Sequence, residues 1–401
     1  MALIGFNSLN GLDSLQWLNT FDTFHNGGGN ATIIAGRYSG TAVQLAGTGF
    51  DYTHGSYTLS NQRTVIQGVD IGGNFAGGGY GDVFILMDST TPQISIRVET
   101  TGHVSAYQGP SLTSAAGTLL GTSTNAVITG AWQHLESKIF IDASAGTVIV
   151  KVDNFIVLSL TAVNTQTSSN NYATSAMLHH AELGASVVNL ANYYVLDTTG
   201  AAPYDDFIGP QNVTTHDPIS NGSNINFTPL NAPNFSQVNE VAIIGNTNFA
   251  NPIPDGDASY NFSINSASDI VETFNLTGFN ALSSNNAIQV IVWAKSTVAS
   301  GTRQIKATLY KGSTAYKGST FNVTDNTQYI PFVDKTSFLL VDPASSTPWT
   351  AALANTYQFG YTNVGNGIMD GTDVRITKIK VERMGPVQDP FAPNHPLWIT
   401  G

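Results

Sequence analysis

The chain has 401 residues, no cysteine, 15 basic against 27 acidic residues and a formal net charge of −12 at pH 7. That length is more than one hydrophobic core organises, so two domains of roughly 200 residues are expected. Disulfide staples and thiolate metal sites are excluded, and the thinly spread Lys and Arg leave no electrostatic footprint for nucleic acid. Charged residues make up only 10% of the chain, against about 25% in ordinary domains. Asn, Thr, Ser and Gly carry the polar load instead, which suits a long-lived β-protein with an uncharged, hydrogen-bonding surface. The opening residues Met1–Ser8 hold no basic region followed by an apolar run, and no window approaches about 18 apolar residues. Neither conventional secretion nor membrane insertion is expected.

In chain order, a short helix is expected at Leu12–Asn19, with Asp13 or Ser14 as its cap. Period-two alternation then gives strands at Thr64–Ile71, Val83–Met87, Ile94–Val98, Trp132–Ile141, Thr147–Val152 and Phe155–Leu160. The glycines of Phe75–Gly81 precede no helix, so they read as a loop and not as a phosphate cradle. Turns at Asp142–Gly146 and Asp153-Asn154 fold residues 132–160 into an antiparallel meander. A further strand begins at Tyr193 and runs into an acidic turn that ends at Gly209. The Pro-, Asn- and Ser-rich span 209–225 reads as a linker between domains 1–208 and 226–385, each expected to fold alone. The second domain carries expected strands at Ser259–Ile264, Ile270–Leu276, Ala287–Lys295, Arg303–Tyr310, Tyr316–Val323, Phe338–Val341, Tyr357–Tyr361 and Val374–Glu382, enough for a second β-sandwich. The tail 386–401 has prolines at 386, 390, 393 and 396 and reads as a strap outside any sheet. Its Phe391, Leu397 and Trp398 are the expected partner-docking anchors.

The meander, with Trp132, Leu135, Lys138, Gly146 and the run Val148 to Asn154 in order, resembles the core of laminin-G and concanavalin A-like lectin and glucanase jelly rolls. The form it resembles is the one found in tailed-phage virion proteins, whose domain-closing landmark is matched by Tyr193–Gly209. Asn154 stands where that family often has Gly, and Asn tolerates the positive φ such a turn needs. Short pieces of the second half also match in order: Pro254–Tyr260, Asp269–Asn275, Ala287–Lys295, Gly301–Ile305, Asp342-Pro343, Pro348–Ala352 and Gln358–Gly360. The resemblance implies an all-β chain, a concanavalin A-like jelly-roll sandwich followed by a second β-sandwich.

Four kinds of chemistry are conceivable for these residues. Glu99, Glu136 and Glu182 are isolated acids without the paired spacing of a glucanase, and Glu136 alternates with Trp132, His134 and Lys138 on what reads as a solvated strand face. Asp197, Asp205 and Asp206 could ligate Ca²⁺ around the closing turn, as could Asp255 and Asp257, but turn-capping roles fit both groups better. His179 and His180 point to opposite faces of a strand, and His25, His54, His103, His134, His216 and His395 have no ligand spacing. Tyr80, Tyr107, Tyr172 and Trp132 could form a sugar platform, although Trp132 reads as core. No catalytic residue, metal or cofactor is therefore expected.

The expected function is a non-enzymatic structural part of a tailed-phage virion, a tail fibre or other tail-associated appendage serving assembly and host-surface contact. Head decoration, a glycan-binding receptor module and a polysaccharide depolymerase are the alternatives. The expected partners are further copies of the chain, as a trimer, other virion proteins and a host surface glycan.

Overall fold

The computed structural model describes residues 3–387, apart from 8, 10–20, 27–29, 39–40, 47–51, 75–80, 110–116, 129, 182–186, 201, 232, 240–257, 265–266, 280–286, 298–302, 325–326, 328, 336 and 366–372. The expected helix at Leu12–Asn19, the glycine loop up to Tyr80, Glu182, Asp255, Asp257, His395 and the anchors Phe391, Leu397 and Trp398 lie outside the described residues.

The amino-terminal half forms β1 (Leu3–Asn7), β2 (Thr23–Asn26), β3 (Asn30–Ala35), β4 (Thr41–Ala46), β5 (Tyr52–Gln62), β6 (Thr64–Asn74), β7 (Gly81–Asp88) and β8 (Thr91–Val98). It continues through β9 (Val104–Gln108), β10 (Thr118–Thr122), β11 (Gln133–Phe140), β12 (Gly146–Val152), β13 (Phe155–Val163), β14 (Ala173–Ala181) and β15 (Val187–Leu196). One sheet runs β13-β12-β11-β6-β15-β4-β3, with β1 also pairing β15, and the facing sheet runs β10-β9-β8-β7-β14-β5-β2. All these pairings are antiparallel, and the chain crosses repeatedly between the two sheets, for instance from β4 to β5, β5 to β6, β6 to β7, β10 to β11, β13 to β14 and β14 to β15.

Local chemistry explains the meander. Along β12 the residues Val148, Val150 and Val152 are buried while Thr147, Ile149 and Lys151 are half-buried, a period-two pattern that turns one face to the core. Asp142 accepts bonds from the amides of Ser144 and Ala145, which hold its carboxyl down at about 2 and close the β11–β12 turn. Asp153 (φ 46°) and Asn154 (φ 71°) both adopt the left-handed conformation that a two-residue β12–β13 hairpin requires. Between the sheets lie Val69, Ile71, Phe84, Leu86, Ile94, Ile96, Leu135, Ile139, Val148 and Val150, all at 1% exposure or less. Burying each stabilises the fold by roughly 1.5–3 kcal/mol.

The carboxy-terminal half forms β16 (Gln211–His216), β17 (Pro218–Asn221), β18 (Thr228–Pro229), β19 (Asn261–Ile264), β20 (Ile270–Leu276), β21 (Ala287–Ser296), β22 (Arg303–Lys311), β23 (Thr314–Val323), β24 (Ile330–Asp334), β25 (Gln358–Asn363) and β26 (Asp373–Pro386). One sheet runs β18-β19-β26-β21-β24, with β16 also on β26, and the other runs β17-β20-β25-β22-β23. The chain is thus all-β, two successive antiparallel sandwiches. Its one α-helix among the described residues is the four-residue Ala351–Ala354, capped by Thr350.

Two expectations on organisation are corrected. Residues 209–225, expected to be a linker, carry β16 and β17, because Val213 and Pro218 find buried sites that the polar composition of the span conceals. Phe338–Val341 is not a ladder strand; it bends across the sandwich, where Leu339 O accepts from Ile288 N and Phe338 O accepts from the Trp349 indole. The edge position belongs to β24 instead, whose Pro331 interrupts the strand pattern but is tolerated where no ladder bond is needed.

All ten residues of β21 are buried. Ile288, Val290, Val292 and Ala294 face the second core, while Ile291 and Trp293 pack with the core of the first sandwich. Leu3, Phe6, Ile66, Tyr194 and Leu196 of the first half meet Val213, Ala287, Leu339 and Met384 of the second in a joint apolar cluster. Gln289 Nε2 bridges the joint, donating to Phe6 O at 2.8 Å and to Glu382 Oε2 at 2.6 Å, and Lys335 pairs with Asp22. The sheet holding β21 is therefore covered on both faces.

Candidate functional site

The chemistry-bearing residues gather on the outer face of the sheet that holds β6. Alternation points Val65, Val69 and Ile71 of β6 into the core, so Ile66, Gly68, Asp70 and Gly72 face outward. Pairing places His134 of β11 beside Asp70, and Asn189 of β15 beside both Gly72 and Gln44 of β4.

One half of this face is sealed. His134 Nδ1 lies 3.0 Å from Asp70 Oδ1, and its Nε2 lies 3.1 Å from the Tyr194 hydroxyl. That hydroxyl donates to Glu136 Oε1 at 2.7 Å. The same Glu136 oxygen accepts from Ile208 N at 2.9 Å, tying down the segment that follows the acidic turn. Burial, with Glu136 and Asp70 nearby, pushes the Tyr194 hydroxyl well above its ordinary range, so it remains a donor. A Cβ at position 68 would stand 2.2 Å from the Tyr194 ring, so only glycine lets this ring lie on the sheet. The expectation of a solvated strand face at Glu136 is corrected here. Glu136 and His134 are each 1% exposed, because residues 207–209 and Tyr194 cover them.

The other half is open. Arg37 reaches over the sheet, its Nη1 on Asp70 Oδ1 at 3.0 Å and its Nη2 on Asp153 Oδ1 at 2.9 Å. Burial works against the charged guanidinium, but Asp70 and Asp153 outweigh it and raise its pKa. Asn192 donates to the second Asp70 oxygen at 2.6 Å. Arg37 also lies over the Tyr38 ring, 4.9 Å from its centroid. Gln44 Nε2 donates to Asn189 Oδ1 at 3.0 Å. The Trp132 indole sits against Gly72, where an added Cβ would come within 3.3 Å of it. Trp132 is half-buried, precedes β11 and packs on the outer side of Gly72, so its expected core role is corrected: it lies on the surface of the sheet.

The remaining candidates stand apart from this face. Glu99 follows β8 in the opposite sheet and accepts from the Tyr107 hydroxyl at 2.9 Å. Tyr172 lies in the loop whose carbonyls bond Gln93 Nε2. Asp197 accepts from Thr199 N at 3.0 Å, Asp206 accepts from Phe207 N at 2.8 Å and pairs with Lys138, and Asp205 is exposed. Among the described residues no three His, Asp or Glu side chains form a metal-holding group. His179 Nδ1 meets Asp82 O, His103 Nδ1 meets Ser123 O, and His216 is buried against Phe279 with burial lowering its pKa to about 4. The side chains of His25, His54 and His180 lie outside the described residues.

Sequence reasoning missed Arg37, Tyr38, Gln44, Asp70 and Asn189. The signal for Gln44 and Asn189 was present, a polar residue alternating with Val43 and Leu45 or with Val188 and Leu190.

No family model matches the chain, and no curated protein matches it. Among solved structures it is similar to a sialidase, at 12% identity and a TM-score of 0.31 over 48% of this chain and 19% of that one. It is similar to the carbohydrate binding module CBM66 from Bacillus subtilis, at 11% identity and a TM-score of 0.30 over 43% of this chain and 94% of that one. A third is a Bacillus subtilis protein of unknown function with a galectin-like fold, at 8% identity and a TM-score of 0.33 over 49% of this chain and 96% of that one. The chain spans about a fifth of the sialidase's length, and likenesses at this level carry no argument about ligands.

Proposed function

We propose that the chain is a non-enzymatic, glycan-contacting structural protein of a tailed-phage virion, a tail fibre or tail-associated appendage. The observation that carries the glycan reading is the open half of the β6 face, where the Trp132 platform, the Gln44–Asn189 amide pair and the Arg37–Asp70–Asp153 cluster share one surface. A flat aromatic ring beside a few fixed polar groups is how proteins hold sugar rings and orient their hydroxyls. A depolymerase is less well supported. Glu136 is sealed beneath Tyr194 and its bonded oxygen is engaged by backbone amides, while Glu99 belongs to the other sheet.

The virion assignment rests on the sequence resemblance and on the charge-poor composition. Self-assembly draws support from exposed Phe155 and Ile156 on β13, which lies at the edge of its sheet. A glycan array probed with the full chain and with Trp132→Ala tests the binding reading: signals lost in the variant are expected, and an array silent for the wild type would overturn it. Mass spectrometry of purified particles tests the virion reading, which fails if the protein is absent from them.

A further inference from the structure

We infer that the open face selects uncharged sugars that present a vicinal diol and turns away uronate- and sialate-bearing chains; this rests on the glycan reading above. Two observations carry it. First, Gln44 and Asn189 are bonded to each other in one sense, Nε2 to Oδ1 at 3.0 Å. That bond uses one donor of Gln44 and one acceptor position of Asn189. It fixes both amide planes and leaves Gln44 Oε1 as an acceptor beside Asn189 Nδ2 as a donor. Two adjacent hydroxyls satisfy that pair together, one donating and the other accepting. A carboxylate only accepts, so it cannot take the place of the diol at this pair, and a uronate that offers its own diol instead is opposed by the charge of the neighbouring cluster.

Second, the cation of this face is already committed. Both terminal nitrogens of Arg37 hold carboxylates, Asp70 and Asp153, and its side chain is only 17% exposed. One guanidinium against two carboxylates leaves a local formal charge of −1, in a chain whose own net charge is −12. An anionic glycan that reaches this cluster meets a net negative charge whose guanidinium is already paired with two carboxylates. A neutral glycan meets no such opposition, and its binding is insensitive to salt because no ion pair forms.

The test uses the full chain in affinity electrophoresis through gels containing a neutral glucan, mannan or galactan, or containing alginate, polygalacturonate or polysialic acid. Retardation by at least one neutral polymer is expected, unchanged on raising salt to about 0.5 M. None is expected in the acidic gels at low salt. Asn189→Asp keeps the shape but replaces the donor by a charged acceptor, and it should weaken the neutral interaction by about tenfold or more. Gln44→Ala should weaken it similarly, and both side chains are half-exposed, so thermal melts of the variants are expected to match wild type. Retardation in an acidic gel that Asn189→Asp abolishes would overturn the selectivity and leave the glycan reading standing. Wild-type retardation of Asn189→Asp in a neutral gel would overturn the role of the amide pair. A chain retarded by none of the six polymers would overturn both.

Discussion

Replacing Glu272 by glutamine should make the protein more resistant to alkaline conditions. Glu272 lies on β20 with no exposed surface, and its Oε2 accepts from Asn226 N at 2.7 Å and Phe227 N at 2.9 Å. Its Oε1 is buried without a hydrogen-bond partner. Burial pushes this carboxyl from 4.5 up to about 7, against the pull of the two amides. A carboxyl whose pKa is raised on folding holds its proton more tightly in the folded state. Its contribution is therefore complete below the unfolded value and is lost as pH climbs through the folded one. The difference amounts to about 3 kcal/mol once pH exceeds about 8. Glutamine keeps an oxygen for the two amides and never ionises. Urea denaturation at intervals from about pH 5 to about pH 9 should show wild-type stability falling by about 3 kcal/mol relative to Glu272→Gln. Parallel stability curves for the two proteins would refute the reasoning, since the carboxyl would then titrate alike in folded and unfolded chains.

His216 acts with the opposite sign: burial lowers its pKa from 6.5 to about 4, so its contribution is intact above the unfolded value and is lost as pH falls toward 4. His216→Gln should flatten the acid side of the wild-type curve in the same titration by up to about 3 kcal/mol. Tyr194→Phe removes the hydroxyl that joins Glu136, His134 and Gly209 O, and urea melts should show a loss of about 1–3 kcal/mol. Because Phe6, Leu3 and Tyr194 share a cluster with Ala287, Leu339 and Met384, calorimetry of the full chain should give one unfolding transition; two resolved peaks would show that the joint does not couple the sandwiches.

Strands stand out in the sequence where β-branched residues alternate over a long run between recognisable turns. That is why β6, β12 and β21 were legible, and why the Asp153-Asn154 hairpin could be placed to the residue. The strands before Thr64 escaped, because Gly, Asn and Thr dilute their alternation and their partners lie far along the chain. β4, for instance, is completed by β15, more than 140 residues later. The span 209–225 misled for a related reason, since turn-forming residues describe local conformation while pairing with β26 and β20 decides that it extends. The candidate site was half legible. Trp132 was singled out, but its position outside Gly72 depends on the β6–β11 register. The ion pairs of Arg37 with residues 70 and 153 join three loops and strands that no local pattern connects. Glu136 shows the converse, because alternation gave its face correctly but could not reveal that Tyr194 and residues 207–209 cover it.

The doubly covered sheet bears on how such a chain can be re-engineered or can diverge. A module that ends in a solvated face can be cut away and replaced with little consequence for its neighbour. Here, removing the first sandwich would uncover Ile291 and Trp293 and would strand Gln289 and Glu382 without Phe6 O above them. Any exchange of the amino-terminal half must bring a matching wall for β21 and β26. Surface change is accordingly most accessible at the end of the outer face that carries Gln44 and Asn189, away from Ile66, Tyr194 and Leu196, which belong to the seam.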